Sequence, residues 1–376
     1  MKRFISIAAL LLTLHASAWW NGSWDKRFAI TSEATLVDED LGVYAYPLSA
    51  APAGFWSNVD SAGADVRMAD EAGSEIPMHL VYFDSVSETG MVFFKDTGST
   101  SVDVTWYVYY DNSGATAPAS DSTYGSEAVW ADYAAVYMLD VAYVDGVTPT
   151  PDVAGNGYDL DNDVGLASQA VSDGITADWP AYDMAGGDII YGGISPITDW
   201  PITISAWCEP DNTTDQMRPT ALGYTGATQP IASILFHGNV DDYIKSSFGG
   251  NTGSYSNGAA ASTYSANTWY SAVVTRDANS GTSTTYFNGG NSGTDTTTLT
   301  TPSNLNTVAV GGWKANTNLS YTDGKVMNVR YYAGVRSADF VSTEYAMESN
   351  PGTFWTTGSE ETAPTSAGHP WFYRRR

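Results

Sequence analysis

The segment Pro201-Ile202-Thr203-Ile204-Ser205-Ala206-Trp207-Cys208 alternates residue by residue. Ile202, Ile204, Ala206 and Cys208 fall on one face, and Thr203, Ser205 and Trp207 on the other. A period of two marks a strand with one side in a core, and a slip of one residue would turn every apolar side chain to solvent. Such a strand needs a second layer to cover its apolar face. Short strand-like runs separated by turns recur around it from residue 126 to 358. The first half has its own clear alternation between Ser101 and Asn112, with Val102, Val104, Trp106, Val108 and Tyr110 on one face and Asp103, Thr105, Tyr107 and Tyr109 on the other. Strands at roughly ten-residue spacing point to sandwiches.

Composition supports this. Aromatic residues make up 13% and charged residues only 15%, a mix that fills strands with rings and turns with small polar groups. Acidic residues number 42 against 16 Lys and Arg, a formal charge of -26. A surface of that sign repels phosphate backbones, so no nucleic-acid partner is expected. It favours solubility in a salty medium, and it leaves open a cluster of carboxylates that holds Ca²⁺.

The N-terminus reads as a secretory signal over residues 1–18. Lys2 and Arg3 precede an apolar run from Phe4 to Leu14, and Ala16-Ser17-Ala18 supplies the small-x-small cleavage site. The mature chain would begin at Trp19, secreted, periplasmic or at the cell surface. No later run is apolar and long enough for a transmembrane span. Cys208 is the one cysteine, so no intramolecular disulfide can form, and its place on the apolar face predicts a buried, inert thiol.

Residues 19–125 carry Trp24 with Lys26-Arg27 and Ile30, Asp65-Val66-Arg67 with Asp70, Ile76-Pro77, and Tyr109-Tyr110-Asp111-Asn112. In this order the motifs resemble a family of secreted bacterial proteins known as domain of unknown function 2341. The resemblance implies a small β domain, often found beside a laminin-G-like jelly roll, and brings no catalytic residues. Ser113 to Ser126, rich in Ser, Ala, Gly, Thr and Pro, reads as a linker. Ala128-Val129-Trp130 and Ala135 to Asp140 read as the opening strand of a second domain at 126–358.

Thr203-Ile204-Ser205-Ala206-Trp207, Asp152-Val153-Ala154-Gly155-Asn156-Gly157, Asn267 to Val274, the hairpin Thr285 to Gly290, Val308 to Gly312 and Asp323 to Tyr332 then follow a familiar order. Together they resemble laminin-G-like jelly rolls of the concanavalin A-like lectin/glucanase superfamily. The fold class expected is therefore all-β, a small N-terminal β-sandwich followed by a concanavalin A-like jelly-roll β-sandwich. Ser337 to Glu348 is the best helix candidate, with Ser337 as cap, Asp339 in the first turn and a Val341–Tyr345 pair. The resemblance implies such a short terminal helix. Residues 359–376 read as a polar tail ending in Trp371-Phe372-Tyr373-Arg374-Arg375-Arg376, either frayed or a tag that docks on an envelope or assembly partner.

Glycoside hydrolases of this architecture place acids as Glu-x-Asp-x-x-Glu on one strand. Here Glu209-Pro210-Asp211 is followed by Thr214 at the third acidic position, and no nucleophile elbow, His-Glu-x-x-His pair or phosphate loop occurs. No enzyme is expected. Asp159 to Asp163 begins like an EF-hand, but Val164 and Ala170 stand where Gly and Glu are required. Relatives commonly have Ile-Asp-Glu-Val-Arg where this chain has Val326-Met327-Asn328-Val329-Arg330, which removes both acidic positions there. Asp140 and Asp152 remain the metal candidates, for Ca²⁺. Sugar binding needs aromatic faces beside amides or carboxylates. Trp313, Trp269, Trp200 and Tyr243 with Asp241 and Asp242 fit that chemistry, as does Tyr224. Trp313 leads, because it follows Gly311-Gly312 and precedes the loop from Lys314 to Ser320.

The expected function is non-catalytic recognition or adhesion, through binding of a glycan or surface polysaccharide. The alternative is a structural component of a cell envelope or virus particle, and a glycoside hydrolase comes third. Sequencing of the exported protein is expected to read Trp-Trp-Asn-Gly from Trp19; a mature chain that keeps Met1 would contradict export.

Overall fold

The computed structural model describes residues 19–166, 168–226, 231–238, 241–251, 254–302, 304–314 and 321–364. The expected signal segment, the loop residues 315–320 and the aromatic-arginine end of the tail lie outside the described residues.

The described residues form two sandwiches. In the N-terminal one, a sheet with strands 355–357, 26–32, 105–110, 67–70 and 75–76 in that order faces a second of 43–47, 89–95 and 78–84. Alternation sets the layering. Trp106, Val108 and Tyr110 point into the core, while Tyr107 and Tyr109 pack outside it with Trp24 and Ala69. The strand begins only at Thr105, and Val102 is 62% exposed, although ahead of it the Val104 carbonyl still accepts from the Ser32 amide at 2.9 Å.

The motif residues of this half converge on one carboxylate. Asp65 accepts from the amides of Asp60, Asp111 and Asn112, and Trp24 donates its indole N–H to the Asp65 carbonyl at 2.6 Å. Arg67 lies over the Trp24 ring and donates to the carbonyls of Val66 and Thr116. These residues close turns and hold the strand ends together.

The jelly roll has an eight-stranded sheet in the order 171–173, 180–184, 324–332, 202–210, 270–276, 283–287 and 291–295, with 135–137 paired on 324–332. Its nine-stranded partner runs 162–164, 189–192, 307–310, 220–223, 231–237, 243–249 and 255–256, with 216–217 and 259–263 paired alongside. Ile202, Ile204, Ala206 and Cys208 face the core between the sheets, as their alternation requires. Cys208 is a free, buried thiol whose pKa burial pushes up. Asn288 and Gly289 take positive φ and close the expected hairpin between 283–287 and 291–295.

Three local expectations are corrected. Ala128-Val129-Trp130 belongs to the helix Ser126–Trp130 rather than to a strand, because Trp130 is fully buried against Phe93 and beside His79. The Ser113 to Ser126 stretch is tied down by hydrogen bonds from Arg67 to the Thr116 carbonyl, from the Met78 amide to Tyr124 and from the Glu127 amide to Ser120. The polar tail starts later than its composition indicates. Residues 361–362 pair with 26–27, Glu360 binds Lys26 at 3.0 Å and accepts from the Tyr110 hydroxyl, and Glu361 binds Arg27 at 2.8 Å.

One apolar cluster runs through both sandwiches, joining Phe28, Tyr44, Phe93 and Trp106 to Trp130, Trp179, Trp207, Met327, Phe340 and Met347. The helix Ala338–Ser349 lies at this junction, capped by Ser337, whose hydroxyl accepts from the Phe340 amide at 3.0 Å. A bulge at Asn328, φ 52°, shifts the register between strands 202–210 and 324–332 and sends Asn328 toward the helix. Arg330 donates to Glu344, to Glu348 at 2.6 Å and, through Nε, to Asn328 at 2.8 Å. Its guanidinium also lies over Phe93 of the N-terminal sandwich and over Trp130. Trp207 stacks on Tyr345 and donates to Glu348 at 2.6 Å.

Trp207→Ala is therefore expected to cost about 3–5 kcal/mol, by the usual measure of a buried large-to-small change. Denaturant unfolding followed by far-UV and near-UV signals should show the loss in both sandwiches. A change below about 1 kcal/mol would contradict the shared core.

Candidate functional site

The outer face of the nine-stranded sheet gathers several of the expected ligand residues. Ala232, Ile234, Phe236, Ile244 and Phe248 point into the core, so Ser233, His237, Tyr243 and Lys245 point outward. Trp313 is only 3% exposed there. It packs on Ala221 and Ile231 under the Arg218 guanidinium, so its faces are filled from within, and it is not the open stacking platform expected. Tyr243 stands opposite His237 at the end of a hairpin. Beside it, Asp241 accepts from Lys245 and from His237 at 2.9 Å, and these contacts outweigh burial and hold its carboxyl below the usual range. Asp242 makes the turn, with φ 55°, and its carbonyl accepts from Tyr264.

The other aromatic candidates lie elsewhere. Trp200 is half-buried, edge-on to Phe248 and beneath Arg276. Trp269 is half-buried against the shared core on the opposite sheet, and Tyr224 is half-buried at the end of strand 220–223. Nor do the metal candidates meet. Asp152 accepts from the amides of Val136 and Ala154, stapling the turn that its motif predicts, and burial pushes its pKa up. Asp140 lines a separate groove. Among the described residues no group of three or more His, Cys, Asp or Glu side chains is placed to hold a metal ion.

That groove is one of the open sites on the surface. It lies between the sandwiches, holds about 450 Å³, and is lined by Tyr82, Phe83, Asp84, Ser87 and Thr89 on one side and Asp140, Asp173 and Ala177 on the other. Tyr82 donates its hydroxyl to Asp173 at 3.2 Å, bridging the two sandwiches. Phe83 stacks on Trp56 at 5.5 Å, which fixes the angle of its ring. Asp84 accepts from the Val86 amide and the Ser87 hydroxyl, and those bonds hold its carboxyl below the usual range. Burial pushes the Asp140 carboxyl up. Beneath the groove, buried Asp178 ties the two sandwiches together by accepting from the amides of Ser49 and Gly90 and from the Ser49 hydroxyl.

Three non-glycine residues around the groove, Tyr82, Glu88 and Leu139, have φ of 53°, 56° and 60°. Left-handed backbone at residues of this size is uncommon and gathers at ligand sites. An aromatic wall, hydroxyls and carboxylates can stack against and hydrogen-bond a sugar of one or two rings. Sequence reasoning singled out Asp140 for Ca²⁺ rather than for a sugar, and missed Tyr82, Phe83, Asp84, Ser87, Thr89 and Asp173. Their convergence depends on the docking of two sandwiches, and no local spacing records it.

Comparison with known proteins agrees on the class of the second sandwich. Residues 187–342 match the family described as the concanavalin A-like lectin/glucanases superfamily. No curated protein sequence matches the chain. Among solved structures, the chain is similar to domain 4 of AbnA, an extracellular GH43 arabinanase from Geobacillus stearothermophilus, in complex with arabinotriose. Identity is 18%, coverage 57% of this chain and 98% of that one, and the TM-score 0.42. It is also similar to the heptameric SAP-like pentraxin of Limulus polyphemus, with 13% identity, 43% and 79% coverage and a TM-score of 0.35. The CBM40 of a Ruminococcus gnavus IT-sialidase, bound to sialyllactose, gives 13% identity, 39% and 82% coverage and a TM-score of 0.33.

Burial makes Trp313 a packing residue. Trp313→Ala is expected to lower stability by about 3–5 kcal/mol in chemical denaturation. A variant as stable as the parent would restore Trp313 as a surface anchor.

Proposed function

We propose that the protein is exported and recognises a glycan without turning it over, and that the sugar sits in the groove between the two sandwiches. The observation that carries this reading is the groove itself: aromatic rings, hydroxyls and three carboxylates around a volume that suits one or two sugar rings. The concanavalin A-like family match over 187–342 supports the same class of ligand. Asp173 and Tyr82 come from different sandwiches, so ligand contacts and domain docking reinforce each other.

Hydrolysis is the second reading, and one observation favours it. Asp84 is stabilised as the anion while Asp140 is pushed toward the neutral acid. Both carboxylates line the same groove, and a pair of carboxyl groups in one site is what acid/base hydrolysis requires.

Glycan-array binding of the mature protein is expected to identify a neutral or acidic oligosaccharide. Asp173→Ala and Tyr82→Phe should then weaken its affinity about five- to fiftyfold, the usual effect of losing a charged or bridging hydrogen bond. Equal affinity in both variants would remove the groove as the site. Release of shorter oligosaccharides on incubation would establish the hydrolytic reading instead. No binding across the array would favour the structural alternative.

A further inference from the structure

The nine-stranded sheet carries an arginine unlike the other buried ones. Arg27 pairs with Glu361, Arg67 with Glu75 and Arg330 with Glu344 and Glu348, while Arg276 spends its terminal nitrogens on Ser283 and the carbonyls of Asn279 and Thr297. Arg218 is 7% exposed, and its one hydrogen bond among the described residues runs from Nε to the Ser233 hydroxyl at 3.1 Å. Its terminal amino groups, four N–H donors, have no acceptor and no carboxylate partner among those residues, and they are not sealed from solvent but open to the surface. Burial lowers its pKa to about 10, which still leaves it charged at neutral pH.

A guanidinium whose terminal donors find no acceptor among the described residues is free to take the oxygens of an anion from outside the chain. Its surroundings fit a ligand. The guanidinium lies 5.3 Å from the centre of the Trp313 ring, which fixes its plane. The Trp313 indole N–H is a second buried donor without an acceptor. Tyr255, 39% exposed, presents a ring from the edge strand 255–256 of the same sheet. Lys314 lies over Tyr191 on this outer face of a strongly acidic protein.

We infer that Arg218, with Trp313 and Tyr255, forms an anion-binding subsite on the outer face of the jelly roll that takes the carboxylate or sulfate of an acidic sugar. Arg presents parallel N–H donors that match two oxygens of such a group, and Tyr255 supplies a face for the ring that carries it. The subsite is separate from the groove and shares with that reading only the premise of a sugar ligand.

The test uses the full mature protein and calorimetric titration with trigalacturonate, a sulfated carrageenan oligosaccharide, neutral maltotriose and inorganic sulfate. At least one acidic oligosaccharide is expected to bind more tightly than maltotriose or sulfate alone, with an affinity that falls as salt rises. Arg218→Met should weaken it at least tenfold and Arg218→Lys less. Without ligand, Arg218→Met should melt at about the same temperature, because Arg218 has no carboxylate partner among the described residues to lose. A merely structural arginine would lose stability and leave binding unchanged. The inference is overturned if no acidic oligosaccharide binds, if sulfate alone binds as tightly, if Arg218→Met binds like the parent, or if Asp173→Ala abolishes binding while Arg218→Met does not.

Discussion

Arg330 is the point on which the two sandwiches turn. It rises from a strand of the jelly roll, binds two glutamates on the helix Ala338–Ser349, and lies under Phe93 and Trp130. The negative field of Glu344 and Glu348 outweighs burial and holds its pKa above the ordinary value. Glu344 is pushed up to about 7 by burial, which Arg330 opposes. A buried ionic group of this kind adds little net stability relative to an apolar core, yet loss of one partner strands the others at a cost of about 3–5 kcal/mol. Its value lies in geometry. The contacts tie helix, jelly roll and N-terminal sandwich to one another through a single side chain.

That placement decides which surfaces remain for a ligand. The helix and the N-terminal sandwich cover the outer face of the eight-stranded sheet, where Trp207, Met327 and Arg330 are buried. Trp313 and Arg218 fill much of the opposite outer face. An open groove with aromatic and carboxylate lining falls at the seam between sandwiches, where Tyr82 reaches Asp173. Asp178, under the seam, keeps its walls at a set distance by binding Ser49 and Gly90.

Periodicity made the architecture readable in advance. The faces of Ile202 to Cys208 and of Trp106 to Tyr110 are those of the alternating pattern, and the Ser337 cap begins the helix where its side chain can accept from Phe340. Local pattern failed wherever tertiary contact overrode it. Ala128-Val129-Trp130 became helical because Trp130 needed a pocket beside Phe93, and residues 361–362 became a strand because the edge at 26–32 was open to them. The site was harder to read. A tryptophan after Gly311-Gly312 carries no sign of whether a loop or its own sheet will cover it. Asp173 and Tyr82 are 91 positions apart, and only docking brings them together.

The central claim is that one shared core, clamped through Arg330, makes the two sandwiches a single cooperative body. Differential scanning calorimetry of the mature chain and of Arg330→Met tests it most directly. The account predicts one transition for the parent, with calorimetric and van't Hoff enthalpies in agreement. In Arg330→Met the whole transition should move down by about 5 °C or more. Two separate transitions in the parent, or an unchanged melting temperature in Arg330→Met, would contradict it.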